Sequence, residues 1–339
     1  MQVEERNIDM KFGILDQIPV AKHQSATEAL EQTVKIAQEA EKIGYDRFWL
    51  AEHHNSDRLA SSAPEIVIAQ IAASTNNIRV GSGGVMVMHY SALKVAEVFN
   101  TLAAFHNDRI DLGMGRAPGG DGPTITAMAQ GRYFEPDDQY RKIMDVLNLM
   151  EGAQPTLREY QAVGVTPNNV LLPQGWLLGS TGNSALKAGE LGIGYAFAQF
   201  FNGDASREIF DAYRKTFIPT EFMEYPTISI SYAATVAETE EEAEYRARPI
   251  DLFRLGLHTG RLVPIISAEK AKDIQLTEKE EMAISQQRKL HLVGTPDQVA
   301  AKIMEDKEAF GFEEIMINAN HAEFTSRMDT YRLLKEALQ

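Results

Sequence analysis

Eight short apolar, β-branched runs alternate along the chain with stretches of helical periodicity, and this alternation restricts the fold more than any other feature. The runs occupy 11–16, 46–51, 78–87, 109–115, 175–180, 194–200, 227–237 and 313–319. Helical spacing of apolar residues falls at 28–43, 64–75, 92–105, 138–151, 182–191, 204–216, 239–247 and 324–337. Phe48-Trp49-Leu50-Ala51 is apolar on both faces, as a parallel strand covered by helices requires. No Ser, Gly or Pro linker interrupts the series over 339 residues, so the pattern predicts an α/β chain folded as one (β/α)8 TIM barrel over 1–339 rather than an open doubly wound sheet. Two insertions exceed the minimal repeat: 152–173, rich in Pro and Asn, and 248–294, expected to add irregular structure and a further helix. Such insertions commonly build lids over barrel sites.

Several helix ends carry their own chemistry. Ser25 with Glu28 and Ser62 with Glu65 have the spacing of capping boxes, and Gly44 stands where a left-handed residue closes the first helix. Thr295 followed by Pro296 predicts the start of an accessory helix that Gly311 ends.

Composition narrows the chemistry. There is no cysteine, which excludes disulfides, thiolate nucleophiles and Cys-ligated metal; redox chemistry then needs a cofactor. With 33 Lys and Arg against 48 Asp and Glu, the net charge of −15 argues against nucleic acid or an anionic membrane as partner. Residues 1–9 are acidic, lack the pattern of a signal peptide and are expected to be a loose lead-in to a cytoplasmic protein, with Met10 a second candidate start.

Barrel chemistry sits at the C-terminal ends of the strands. There the sequence offers Glu52-His53-His54, the glycines Gly81, Gly83 and Gly84, Arg116 in a Gly/Pro loop, and Gly179-Ser180-Thr181 before a helix that includes Ser184. One histidine can serve as acid/base or cofactor contact, or both can be polar rim residues; successive strand residues face opposite ways, which argues against a metal between them. The glycine clusters lack the third glycine of a dinucleotide fingerprint, Met86 and Pro118 standing in its place. They suit either a flat group lying on the backbone or a tight strand corner. Arg116 together with the helix start at Ser180, Thr181 and Ser184 forms a candidate phosphate clamp, the alternatives being a surface ion pair and plain N-capping.

Six segments carry a family resemblance: Phe12-Gly-Ile-Leu-Asp-Gln-Ile-Pro19, Trp49-Leu-Ala-Glu-His-His-Asn55, Ala60-Ser-Ser-Ala-Pro64, Arg79-Val-Gly-Ser-Gly-Gly-Val-Met86, Lys94-Val-Ala-Glu97 and Arg109-Ile-Asp-Leu-Gly-Met-Gly-Arg-Ala-Pro-Gly119. With these the chain resembles the bacterial-luciferase-like flavin-dependent monooxygenases. The resemblance implies that reduced FMN from a separate flavin reductase reacts with O2, and that a C4a-peroxyflavin then oxidises a small organic substrate. It implies His53 as the catalytic histidine near the flavin and Glu52 as a flavin contact. It also implies a cis peptide bond between Gly83 and Gly84 under the ring, and a phosphate site of Arg116, Gly179, Ser180, Thr181 and Ser184. Luciferase has a Glu where Ser180 aligns and a Cys where Gly115 aligns, so neither of those groups carries over. Related barrels pair through the second and third helices, and a homodimer is expected. Rival readings are hydride transfer with the deazaflavin F420, a noncatalytic flavin-binding protein, and a phosphate-handling aldolase or isomerase.

Overall fold

The computed structural model describes residues 10–131, 138–261 and 263–339; the expected lead-in at 1–9 lies outside them. Ten strands form one parallel sheet: β1 (Lys11–Asp16), β2 (Arg47–Leu50), β3 (Arg79–Ser82), β4 (Val85–Met86), β5 (Ile110–Gly115), β6 (Gln174–Gly179), β7 (Gly194–Ala198), β8 (Ile228–Val236), β9 (His291–Gly294) and β10 (Glu314–Asn318). β10 pairs with both β1 (Gly13↔Met316) and β8 (Ile230↔Ile315), closing an eight-membered ring β1-β2-β3-β5-β6-β7-β8-β10. The chain is therefore a (β/α)8 TIM barrel with helices between the staves. β9 stands outside the ring, along the C-terminal half of β8 from Ala233↔His291 to Val236↔Gly294.

The expected strand over 78–87 is broken. Ser82 ends β3 with its side chain, donating to Gly113 O (2.7 Å) and accepting from Gly113 N (3.0 Å). Beyond the Gly83–Gly84 bond, which is cis, the chain resumes as β4 against β5, where Glu52 Oε2 accepts from Met86 N at 2.9 Å. A Cβ on Gly84 would press on the Gly113 carbonyl and Leu178, so the backbone comes this close only without a side chain.

Ser25 and Glu28 form the expected capping box, Gly44 takes φ +83°, and Thr295 caps its helix through Gln298 N. Ser62 does not cap. Helix Pro64–Ser74 begins one residue later, with Ala63 at the N-cap and no side-chain bond, because the fixed φ of Pro64 suits the first helical position. The helix expected to stop at 247 runs from Glu240 to Thr259 through Pro249. Burial of Ile250, Leu252 and Leu255 outweighs the roughly 3 kcal/mol that an interior proline costs. Helix Gly122–Ala129, started by Asp121 accepting from Thr124 N, was not expected.

The insertion 152–173 packs outside the barrel, Asn100 Nδ2 donating to Pro167 O and Thr156 N to Asp145. The insertion 248–294 crosses the C-terminal end and is pinned to the β1 loop by Lys22 N donating to Ile265 O at 2.9 Å. In the helices expected at a dimer face, Ala72, Val95 and Phe99 are buried in the barrel's own core, while Ile66 and Phe105 are exposed. No helix of the described residues is long and apolar enough to cross a membrane.

Candidate active site

The C-terminal end of the barrel carries three features. The first is a clamp. Arg116 follows β5 and lays its guanidinium over the Tyr140 ring, 4.2 Å from Cζ to the centroid. Its Nε is buried and has no hydrogen-bond partner, and it makes no ion pair, among the described residues. After β6 comes helix Gly182–Glu190, capped by Thr181, with Asn183 Nδ2 3.5 Å from the Tyr140 hydroxyl. Ser184 is buried, donates to Thr181 O at 2.8 Å and lies 3.0 Å from the Tyr195 hydroxyl. A Cβ on Gly179 would run into Ser184. Ser180 accepts at its carbonyl from Asn202 Nδ2, 2.9 Å away. Burial pushes the Tyr195 phenol up to about 12, so it stays a donor, to Thr181 O at 3.0 Å. The side chains of Thr181 and Ser184 thus hold the helix start in shape. Ser184 N is taken by Thr181 Oγ1, which leaves the N–H groups of Gly182 and Asn183 in the first turn; with the guanidinium they suit a phosphate.

The second feature is the floor formed by Gly83, packed on Leu15 and Trp49, and Gly84, packed on Gly113 and Leu178. Glu52 holds its edge. Oε1 accepts from the Tyr90 hydroxyl (2.7 Å) and pairs with His54 Nε2 (2.7 Å), while Oε2 takes the Met86 N–H described above. Both oxygens are thus engaged, and the residue is buried. Burial, then the Glu52 charge, raises the Tyr90 phenol well above its usual range, keeping it a donor.

His53 shares no side-chain hydrogen bond with Glu52 or Tyr90. Its Nδ1 lies 3.4 Å from Ser61 Oγ, and the ring borders a depression of about 480 Å3 shared with Asn55, Ser56, Asp57, Leu59 and Ser62. Burial, aided by His54, lowers its imidazole to about 4, so it is neutral at physiological pH. The structure therefore brings Arg116 to the Gly179–Ser184 loop and Glu52 to the Gly83–Gly84 floor, while the His53 ring has Ser61 as its hydrogen-bond partner. No cluster of three His, Asp or Glu side chains able to hold a metal occurs among the described residues.

The third feature is a cavity of about 460 Å3 between the ends of β1, β8 and β10 and the crossing helix, a size suited to a small molecule. Phe200, Ile250, Phe253 and Leu257 give it apolar walls; Arg254, Asn318 and Asn320 are polar. Its back wall includes His291. Thr235 Oγ1 lies 2.8 Å from His291 Nε2 and 3.3 Å from His321 Nε2, and burial holds both imidazoles neutral, His321 down to about 3. Sequence reading left these histidines, Arg254, Tyr140 and Tyr195 unassigned. For Arg254 a signal existed, since Ile250, Phe253, Arg254 and Leu257 continue a helical face past Pro249.

The chain has well-matched relatives. Residues 10–314 match the family described as luciferase-like monooxygenase. The protein YwcH of Bacillus subtilis (strain 168) is 39% identical over 329 residues, covering 97% of this chain and 99% of its own. The N-acetyl-S-alkylcysteine monooxygenase of the same organism is 35% identical over 335 residues, covering 97% of this chain and 98% of its own. Among solved structures, apo-MsnO8 aligns with a TM-score of 0.87 at 34% identity, covering 97% of this chain and 98% of that one. Closed barrel, rim segments and full-length relatives agree: the chain belongs to the luciferase-like monooxygenase family.

Proposed function

We propose that the chain is a two-component monooxygenase that uses reduced FMN, delivered by a separate reductase, and O2 to oxidise a small organic substrate. The observation that carries this reading is Arg116, a guanidinium with a buried, unpartnered Nε facing a helix start across Tyr140. Reduced FMN, when bound, supplies two electrons, so that one atom of O2 enters the substrate and the other leaves as water. Arg116 and the N–H groups after Thr181 bind its phosphate, with Gly179 and Ser180 shaping the loop. The Gly83–Gly84 floor admits the flat ring. Glu52 acts by positioning, holding β4 and through it the floor. His53, neutral at working pH, takes up or gives a proton at the ring's reacting edge. The crossing helix keeps bulk water from the cavity. The same reading places the enzyme in the cytoplasm as a homodimer, with Ile66 and Phe105 exposed on the helices that would pair; light scattering tests the dimer.

The test is an anaerobic titration with photoreduced FMN, followed by O2 uptake. Tight binding and O2-dependent product formation are expected, with His53→Ala reducing product formation. Absence of reduced-FMN binding overturns the reading. Reduced F420 giving product without O2 uptake assigns hydride transfer instead. FMN binding that yields no product and ignores His53→Ala assigns a flavin carrier.

A further inference from the structure

Arg254 is the single Arg, Lys, Asp or Glu among the described residues that line the 460 Å3 cavity. It reaches the cavity from helix Glu240–Thr259, and two backbone carbonyls orient it: Phe200 O at 3.0 Å from Nη2 and Leu290 O at 3.4 Å from Nη1. These use two of its five N–H donors. The nearest candidate to neutralise it is Asp251, one turn back on the same helix. Arg288 already grips that carboxylate from both oxygens, Nε to Oδ1 at 2.8 Å and Nη2 to Oδ2 at 2.7 Å. Arg254 therefore has no ion pair among the described residues, and burial lowers its pKa below the usual arginine value, the Asp251 charge offsetting this only in part. Elsewhere on the lining, Asn320 Oδ1 and Gln287 Oε1 are buried acceptors without a hydrogen-bond partner, open to a donor on the ligand rather than to its anion. The remaining wall is apolar, with Phe200, Phe253, Ile250 and Leu257. A half-buried, oriented and unpaired guanidinium in an apolar cavity is costly unless a ligand supplies the anion.

We propose that this cavity binds a substrate with an apolar body and a single carboxylate, the carboxylate held by Arg254. One guanidinium presents a planar fork that matches one planar carboxylate. A phosphate dianion finds no second Arg or Lys on this wall, and the helices that start there have only three or four residues, in contrast to the Arg116 clamp. The assignment rests on the flavin monooxygenase reading for its meaning as a substrate site, but its binding test is independent of flavin.

Isothermal titration of the full chain without flavin, using octanoate and octan-1-ol as probes, decides it. Octanoate is expected to bind at least about 10-fold tighter than the alcohol, the factor that one charge-assisted hydrogen bond supplies. Arg254→Met should abolish that preference, and Arg254→Lys should retain part of it, keeping charge but losing the fork. Circular dichroism melting of both variants separates lost binding from lost folding. Equal affinity for acid and alcohol, no octanoate binding, unchanged preference in Arg254→Met, or displacement of octanoate by inorganic phosphate each overturns the proposal. Octanoate binding with no FMN binding would leave the carboxylate site standing while the monooxygenase reading fell. FMN turnover confined to uncharged substrates would do the reverse.

Discussion

At the N-terminal end of the barrel Arg47 is enclosed by carboxylates, whereas at the C-terminal end Arg116 and Arg254 meet none among the described residues. Arg47 Nη1 lies 2.6 Å from Asp111 Oδ2 and its Nε 2.8 Å from Glu314 Oε2. Arg79 Nε takes the other Asp111 oxygen at 2.8 Å, and Trp49 Nε1 donates to Asp111 as well. The guanidinium also stacks 4.9 Å from the Trp176 ring. Burial alone would raise the Asp111 carboxyl, but Arg47 and Arg79 outweigh it and hold it below its usual range. Charges satisfied within the protein stabilise the fold; those left open at the rim are available to a ligand.

The contrast breaks most readily at Arg47. Arg47→Met leaves buried Glu314 with only Lys11 at 3.9 Å and takes one of its two arginines from Asp111, and should cost about 3–5 kcal/mol of unfolding free energy in urea denaturation. If the loss is under about 1 kcal/mol, the closed end is not the stabilising one. The mirror experiment is Arg116→Ala. It should weaken FMN by about 10- to 100-fold, the value of a charge-assisted contact, while leaving riboflavin affinity and the urea midpoint nearly unchanged. Equal weakening of FMN and riboflavin would refute a phosphate contact.

A third class, groups buried neutral, sharpens the comparison through pH. His291 and His321 have folded pKa values depressed below the unfolded value. The unfolded chain therefore binds more protons in acid; their contribution is complete above about pH 6.5 and falls as pH drops towards the folded values. For His321 the slope is about 1.4 kcal/mol per pH unit, and His321→Gln should flatten the stability–pH curve over that window. The smallest effects lie at helix ends. Thr295→Ala removes a formed cap and should cost about 1 kcal/mol, whereas Ser62→Ala, at a cap that does not form, should stay within about 0.5 kcal/mol.

The barrel was readable in the sequence because its signal is local. Staves such as β2 and β10 carry continuous apolar runs, Phe48-Trp49-Leu50 and Ile315-Met316-Ile317, and residues such as Gly44 and Thr295 mark helix ends by their own chemistry. The break after Ser82 was not readable, since it depends on Glu52 reaching Met86 from another strand. Arg116 and the Thr181 helix start could be joined because each lies directly after a strand on the same rim. Tyr140, which bridges them, comes from a helix between those strands and carries no local mark. Arg254 stayed hidden for the same reason: its surroundings are two carbonyls more than 30 residues away in either direction.

The order of residues along the chain has an evolutionary consequence. The proposed flavin contacts, from Glu52 to Ser184, belong to the first five staves and the loops after them, while the walls of the 460 Å3 cavity from Phe200 onward come from the last three and the crossing segment, with Gln17 the exception. The crossing segment is attached at β8 and at the Lys22–Ile265 contact. A lineage can therefore exchange that segment, and with it the proposed substrate wall, while keeping the residues proposed to hold the flavin.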